Sequence, residues 1–235
     1  MTLSPTQPVN EKEVRTYPVR PKMELGISIH QRIPSEEELK LLKASFKSEG
    51  KRCSACGATL TKEMVHHHFE QERWFNVCGM CYCASNLDRI PHFERGHVVW
   101  FPYMSQARLN AVLRGLWAAK SLSGVNSDDH EYKEMLNTLE EITSLLDLRP
   151  RVTEEYFKFS DVDVVSSTLF LLTNEEYEKR GALFADFRWL PQRQIFEDEL
   201  PFWASKDYNG LHPQKITSNI TKFMSKYAPD FTIKE

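Results

Sequence analysis

"KRCSACGATLTKEMVHHHFEQERWFNVCGMCYC", residues 51–83, holds all five cysteines of a 235-residue chain and three consecutive histidines. Cys53-x-x-Cys56 and Cys78-x-x-Cys81 are separated by 21 residues. Each pair suits a tight turn in which two thiolates converge, and Gly57 and Gly79 supply the flexible backbone such a turn often uses. Two such turns brought together surround one point with four sulfur donors, the set and number that tetrahedral zinc takes. One structural zinc ion on Cys53, Cys56, Cys78 and Cys81 is therefore expected. Redox chemistry would need only one pair, and no thioredoxin-like strand–helix context surrounds either. Cys83 is left over and reads as a free, half-buried thiol; the alternative, that it replaces Cys81 as a ligand, would need a different turn.

The run His66-His67-His68 leaves two readings open. If residues 65–69 form a strand, His66 and His68 share one face and His67 points to the other. A histidine on a strand between two cysteine pairs is the layout of metal-dependent nucleases of the His-Asn-His type, with His67 or His68 as general base. Those enzymes also need an asparagine where this chain has Arg73, and a metal-binding histidine where Tyr82 stands. His92 is the next candidate, but Pro91 interrupts a helix leading to it. Without those ligands no hard cation is held against the leaving oxygen of a phosphodiester. The other reading makes the histidines a polar strand face or a support of the zinc shell. The expectation is a staple with no catalytic residue, and the alternative is a nuclease acting on DNA.

Charge and composition narrow the field. With 41% hydrophobic residues the chain can bury one substantial core. The net charge is −3, and residues 128–200 carry 18 acidic against 8 basic side chains. Residues 51–100 are nearly balanced, 6 basic to 5 acidic. A sequence-independent nucleic-acid binder needs a basic track, and none is visible. The first residues have no apolar signal-like run, and the longest apolar stretches, such as "LFLL" at 169–172, are far too short to span a bilayer. An odd cysteine count packed in one segment fits thiolate chemistry in a reducing compartment, so a cytoplasmic protein without membrane insertion is expected.

The pattern predicts an α+β fold: a small four-cysteine zinc module with a mainly helical remainder. Residues 1–22 read as an extended leader and 23–104 as the zinc-bearing module. Residues 105–205 read as a helical part packed on it, and 206–235 as a C-terminal tail with one helix. Within these, apolar alternation at Met23, Leu25, Ile27 and Ile29 predicts a strand. Ser35 with Glu38, and Thr173 with Glu176, predict capping boxes. "HVVWFPY" predicts a strand ending at Pro102. Ser105 opens a helix with Leu109, Val112, Leu113, Leu116 and Trp117 on one face. Met135, Leu139, Ile142 and Leu146 mark another, "DVVSSTLFLL" a further one, and Pro191 is expected to start a helix that Pro201 ends or kinks.

Three segments taken together resemble a known family: the cysteine pairs, "GHVVWFPYMSQARLNAVLRGLWAA" at 96–119 and "FRWLPQRQIFEDELPFWA" at 187–204. Their order is similar to that of the IcmJ/DotN component of Dot/Icm type IVB secretion and related conjugation systems, over about residues 45–205. The resemblance implies a His-Asn-His-like ββα zinc fold that has lost nuclease chemistry. It matches Cys53, Cys56, Cys78 and Cys81 to the family's zinc ligands. It also implies binding to the coupling ATPase and other coupling-complex subunits at the cytoplasmic face of the inner membrane, where substrates are recruited. This chain departs in a longer leader, a shorter stretch between cysteine pairs and an added tail.

An adaptor presents aromatic and arginine anchors that its core does not consume. The densest aromatics lie in "FADFRWLPQRQIFEDELPFWA", where Phe184, Phe187, Trp189, Phe196, Phe202 and Trp203 exceed what one short helix buries. Trp189 or Phe202, with Arg193, is the expected partner contact.

Overall fold

The computed structural model describes residues 20–48, 51–91, 95–122 and 130–227. Residues 1–19 of the expected leader, His92, and residues 228–235 of the expected tail lie outside the described residues. Helices and two small antiparallel sheets alternate along the chain. The elements are α1 (Glu36–Ser48), β1 (His66–Glu70), β2 (Arg73–Val77), α2 (Gly79–Ala84), β3 (His97–Trp100), α3 (Gln106–Leu122), α4 (His130–Asp147), α5 (Arg149–Phe157), α6 (Val162–Leu171), α7 (Asn174–Glu178), α8 (Arg180–Leu183), β4 (Phe187–Leu190), α9 (Leu200–Asp207) and α10 (Pro213–Tyr227). No helix among the described residues is long and apolar enough to cross a membrane.

β1 and β2 form a hairpin in which Glu70 faces Arg73 and His66 faces Val77. The two turn residues, Gln71 and Glu72, both have positive φ (51° and 58°), the backbone of a turn whose twist matches the flanking strands. The chain then enters α2 directly, with Cys78 as its N-cap. α1 opens with the expected capping box, Ser35 N–H donating to Glu38 Oε2 (2.9 Å) and Glu38 N–H to Ser35 Oγ (3.2 Å). The Trp74 indole donates to Glu38 Oε1 at 3.0 Å, fastening the start of α1 to β2.

The second sheet joins distant parts of the sequence. β3 pairs with β4, Val98 against Trp189 and Trp100 against Phe187, so the ends of the helical segment between them are brought together. Gly96 makes the ribbon possible. Its φ is +69°, and a Cβ there would lie 2.2 Å from the Leu190 carbonyl oxygen. α3 runs through the centre, with Leu109, Val112, Leu113, Leu116 and Trp117 buried as their spacing predicts. Met135, Leu139, Ile142 and Leu146 of α4 join the same continuous core as the cysteines, so residues 23–104 and 105–205 share one interior.

Two expectations need correction. Met23, Leu25 and Ile27 are buried as expected, but Ile29 is 65% exposed, Gly26 is buried, and the segment forms no strand. Met23 has φ +58°, and Ser28–His30 closes into a 3-10 turn. The segment's polar backbone is met from several elements instead: Gly26 N–H by Ala84 O, Ile27 N–H by the Tyr177 hydroxyl, and Leu25 O by Arg180 Nε. Pro191 does not start a long helix. Trp189 and Leu190 lie in β4, Arg193–Phe196 forms a single 3-10 turn, and Pro201 sits in the first turn of α9. Proline at that position lacks only an N–H that a helix start leaves unpaired, so it opens the helix.

Candidate metal centre

The first knuckle is built by its own backbone. Cys53 N–H donates to Ala58 O (2.7 Å) and Gly57 N–H to Cys53 O (2.9 Å), and Gly57 takes φ +78° to close the turn. The second knuckle is the first turn of α2, where Tyr82 N–H reaches Cys78 O at 2.9 Å. Gly79 therefore serves helical packing, with a Cβ there 3.3 Å from Phe196 and 3.7 Å from the Glu199 carboxylate. Ser54 N–H donates to Asn76 O (2.9 Å), which holds the first knuckle against the strand that carries the second.

The outcome is a cluster of four sulfur atoms. The Sγ atoms of Cys53, Cys56, Cys78 and Cys81 all lie within 4.8 Å of one another, and Cys56 and Cys78 Sγ are 3.6 Å apart. Four sulfurs at about 2.3 Å from a central tetrahedral ion stand roughly 3.8 Å apart, so the donors fit a metal ion. Among the described residues, no other group of three or more His, Cys, Asp or Glu side chains has metal-binding geometry. Cys83 takes no part. Burial, with the Glu199 carboxylate adding to it, pushes its thiol up to about 12, which makes it an inert side chain.

Three buried polar residues on α3, one turn apart, support the cluster. The Gln106 amide bonds both ways with the Trp189 backbone (2.8 Å each) and donates to Asn110 Oδ1 at 2.9 Å. Asn110 Nδ2 donates to Cys81 Sγ (3.3 Å), and Arg114 donates to Cys56 Sγ (3.1 Å). Arg114 also lies 3.5 Å from Asp207 at the end of α9, and both side chains are more than nine-tenths buried. Asp207 in turn accepts from the Thr59 N–H and hydroxyl, clamping the far side of the first knuckle. These donors neutralise sulfur charge. The Cys56 thiol is drawn well below its ordinary range by hydrogen bonds from Cys53, Cys78 and Cys81 and by the Arg114 guanidinium. Cys78 and Cys81 are pushed well above it, foremost by their hydrogen bonds to Cys53. Four thiolates cannot coexist here without a cation between them.

The histidines lie as the strand pattern predicts, but with different surroundings. His68 is buried and 3.2 Å from Glu70. His66 stacks on Tyr82 with ring centroids 4.6 Å apart, and burial lowers its pKa. His67 Nδ1 is 3.0 Å from Asn76 Oδ1 across the hairpin. Asn76 Nδ2 donates to Ser45 Oγ (3.3 Å), whose own proton goes to Leu42 O (3.0 Å). This orients the amide oxygen toward His67 and leaves His67 Nε2 as the ring's acceptor. Asn76 was not among the expected residues, although a hairpin turned at Gln71–Glu72 places it opposite His67. Asn110 and Arg114 were missed too, and their signal was a polar stripe at helical spacing inside an otherwise apolar face.

Of the expected partner contacts, Trp189 is core. It is fully buried, and its indole N–H donates to Arg95 O at 2.6 Å. A strand residue on the covered face of a ribbon cannot also meet a partner. Phe202 is half-buried, and Arg193 is exposed on the wall of a cleft beside Trp117 and Lys120. The structure removes Trp189 from the expected pair of alternatives and leaves Phe202 and Arg193 partly or fully accessible. A scan against models of known protein families and a search of curated proteins both find no match to this chain.

Proposed function

We propose that the chain is a non-catalytic, zinc-stabilised adaptor of a type IV secretion or conjugation coupling complex, binding the coupling ATPase and helping to recruit substrates. The observation that carries the non-catalytic reading is Arg73 and Tyr82 standing where a metal-dependent nuclease of this layout needs Asn and His, and the all-cysteine cluster supports a structural metal. The four cysteines would supply all four ligands of a tetrahedral ion, leaving none for water or substrate, and α3 adds N–H donors to two of the sulfurs. Zinc is the ion this all-sulfur donor set favours, and it brings no redox chemistry of its own. The order knuckle, hairpin, knuckle-bearing helix supports reading the region as a His-Asn-His-like ββα fold. The assembly role, with recruitment to the cytoplasmic face of the inner membrane through partners, is supported by the IcmJ/DotN resemblance and the acidic helical half.

The test is direct. The full chain is mixed with the purified cytoplasmic region of the host's coupling ATPase and analysed by size-exclusion chromatography. A stable joint peak is the expected result, and separate elution at both low and physiological salt overturns the reading.

One observation favours a second reading, a metal-dependent nuclease: His67, oriented by Asn76 and with its pKa lowered by burial, has the form of a general base. Incubation with plasmid and single-stranded DNA in magnesium, manganese or nickel discriminates. The adaptor reading expects no cleavage. Cleavage that His67→Ala abolishes would establish the nuclease.

A further inference from the structure

The four sulfur donors are not placed alike. Cys53, Cys78 and Cys81 are buried, at 3% exposure or less, and Cys56 is the one of the four that is only half-buried. The second knuckle lies inside, with Gly79 and Met80 buried between its cysteines. The first knuckle lies at the surface. Arg52 before it is exposed, Ser54 and Gly57 are half-buried, and a Cβ added at Gly57 would meet nothing within 4 Å. A solute therefore approaches the cluster from the Cys56–Gly57 side, and protein covers the other three sulfurs.

The donors on the sulfurs differ in the same way. Cys53 accepts from the Cys56 N–H at 3.5 Å and Cys81 from the Asn110 amide at 3.3 Å, both neutral donors. Cys78 has no N–H donor among the described residues and is fully covered. Cys56 accepts from the Arg114 guanidinium at 3.1 Å. That guanidinium is itself held in place, 3.5 Å from Asp207 and 5.8 Å from the centre of the Trp203 ring. Asp207 is fixed in turn by Thr59, with Arg52 3.8 Å away. A charged donor makes a hydrogen bond about twice as strong as a neutral one, and a thiolate bound this way is a weaker nucleophile. The strongest donor sits on the one sulfur ligand nearest to solvent.

We infer that Cys56 is the ligand through which the centre is loaded and emptied and the sulfur that an electrophile modifies first, with Arg114 as the positioning residue that holds it shut. Detaching Cys56 leaves three sulfurs in place and opens the fourth position to water or to a competing chelator. Detaching any of the others requires the core around α2 and α3 to part first. The inference rests on reading the cluster as a structural metal site.

The test uses the zinc-loaded full chain in a Cys83→Ser background, which leaves only the four clustered sulfurs. Iodoacetamide is added below one equivalent, so that a thiolate displaces iodide and becomes a thioether, and mass spectrometry maps the first cysteine labelled. Zinc transfer to the chelator pyridylazoresorcinol is timed in parallel, and circular dichroism checks that each variant is folded. Cys56 should carry the first label. Arg114→Met should speed zinc transfer and labelling at Cys56 about tenfold or more, and Arg114→Lys, which keeps a charged donor, should recover part of the difference. The double variant Arg114→Met/Asp207→Asn removes the orphaned carboxylate together with the guanidinium, so it should lose the same protection while folding more readily. Asn110→Leu, which strips a donor from a buried sulfur, should leave Cys56 the first labelled. First labelling at Cys53, Cys78 or Cys81, or labelling of all four at the rate of global unfolding, would overturn the inference even if no Arg114 variant folded. Wild-type rates in folded Arg114 variants, or Arg114→Lys as fast as Arg114→Met, would overturn it as well. Wild type purified without stoichiometric zinc would remove the metal reading and the inference with it. Zinc held in full but released through another ligand would sink the inference alone.

Discussion

Arg114 concentrates the chemistry of this protein in one side chain. It donates to Cys56 Sγ, lies against Asp207 and sits 5.8 Å over the Trp203 ring, so a single guanidinium joins α3, the metal centre and α9. Arg114→Ala leaves buried Asp207 with only the exposed Arg52, 3.8 Å away, and Cys56 without its guanidinium donor. Removing one partner of a buried pair costs about 3–5 kcal/mol, and chemical denaturation should show a loss of that size. An unchanged midpoint would mean that Thr59 and Arg52 suffice to hold Asp207. Glu199 gives a pH-dependent counterpart. Burial, with the Asp198 charge adding to it, raises its carboxyl to about 7. A group whose pKa is raised on folding contributes stability below its unfolded value, and that contribution is lost as pH climbs through the folded value. Glu199→Gln should therefore gain about 1–2 kcal/mol over wild type at pH 8, after allowance for partial exposure, and little at pH 4. Thermal melts at both pH values check this, and an equal change at both would show that Glu199 does not titrate across that range.

At the scale of elements, the sequence was most legible where the signal is local. Capping boxes at Ser35 and Thr173 and the apolar faces of α3 and α4 depend on neighbours within a few turns, and the structure has them. The cysteine spacing is also local within each pair, so the four cysteines that cluster could be named from the sequence. Pairings made across long separations were not legible. The segment 23–29 has alternating apolar residues and buries Met23, Leu25 and Ile27, but a strand also needs a partner edge, and α2, α7 and α8 lie there instead. β4 carries a phenylalanine, an arginine, a tryptophan and a leucine between helices, a composition that specifies a strand only once β3 is beside it. That ribbon hinges on Gly96. Gly96→Ala must place a Cβ against Leu190 O at positive φ, and should cost about 1–3 kcal/mol or more. Hydrogen exchange should then show the β3–β4 amides losing protection before those of β1–β2. Uniform loss across both sheets would mean that the ribbon and the metal region open as one unit.

For the whole molecule, the central claim is that a metal centre fixes the architecture. The two knuckles, the hairpin between them, α3 above and the end of α9 beside them all converge on four sulfurs that repel one another when ionised. Apparent binding energies for structural zinc are about 10–16 kcal/mol at neutral pH, which rivals the roughly 5–15 kcal/mol that holds a whole domain folded. The most direct test is elemental analysis of purified wild type, Cys78→Ser and Cys83→Ser, read together with their thermal melts. The account predicts one zinc per chain in wild type and in Cys83→Ser, with closely similar melting temperatures. It predicts loss of the zinc and of cooperative unfolding in Cys78→Ser. Wild-type protein that folds cooperatively without stoichiometric zinc, or Cys78→Ser that retains both the metal and the transition, would contradict it.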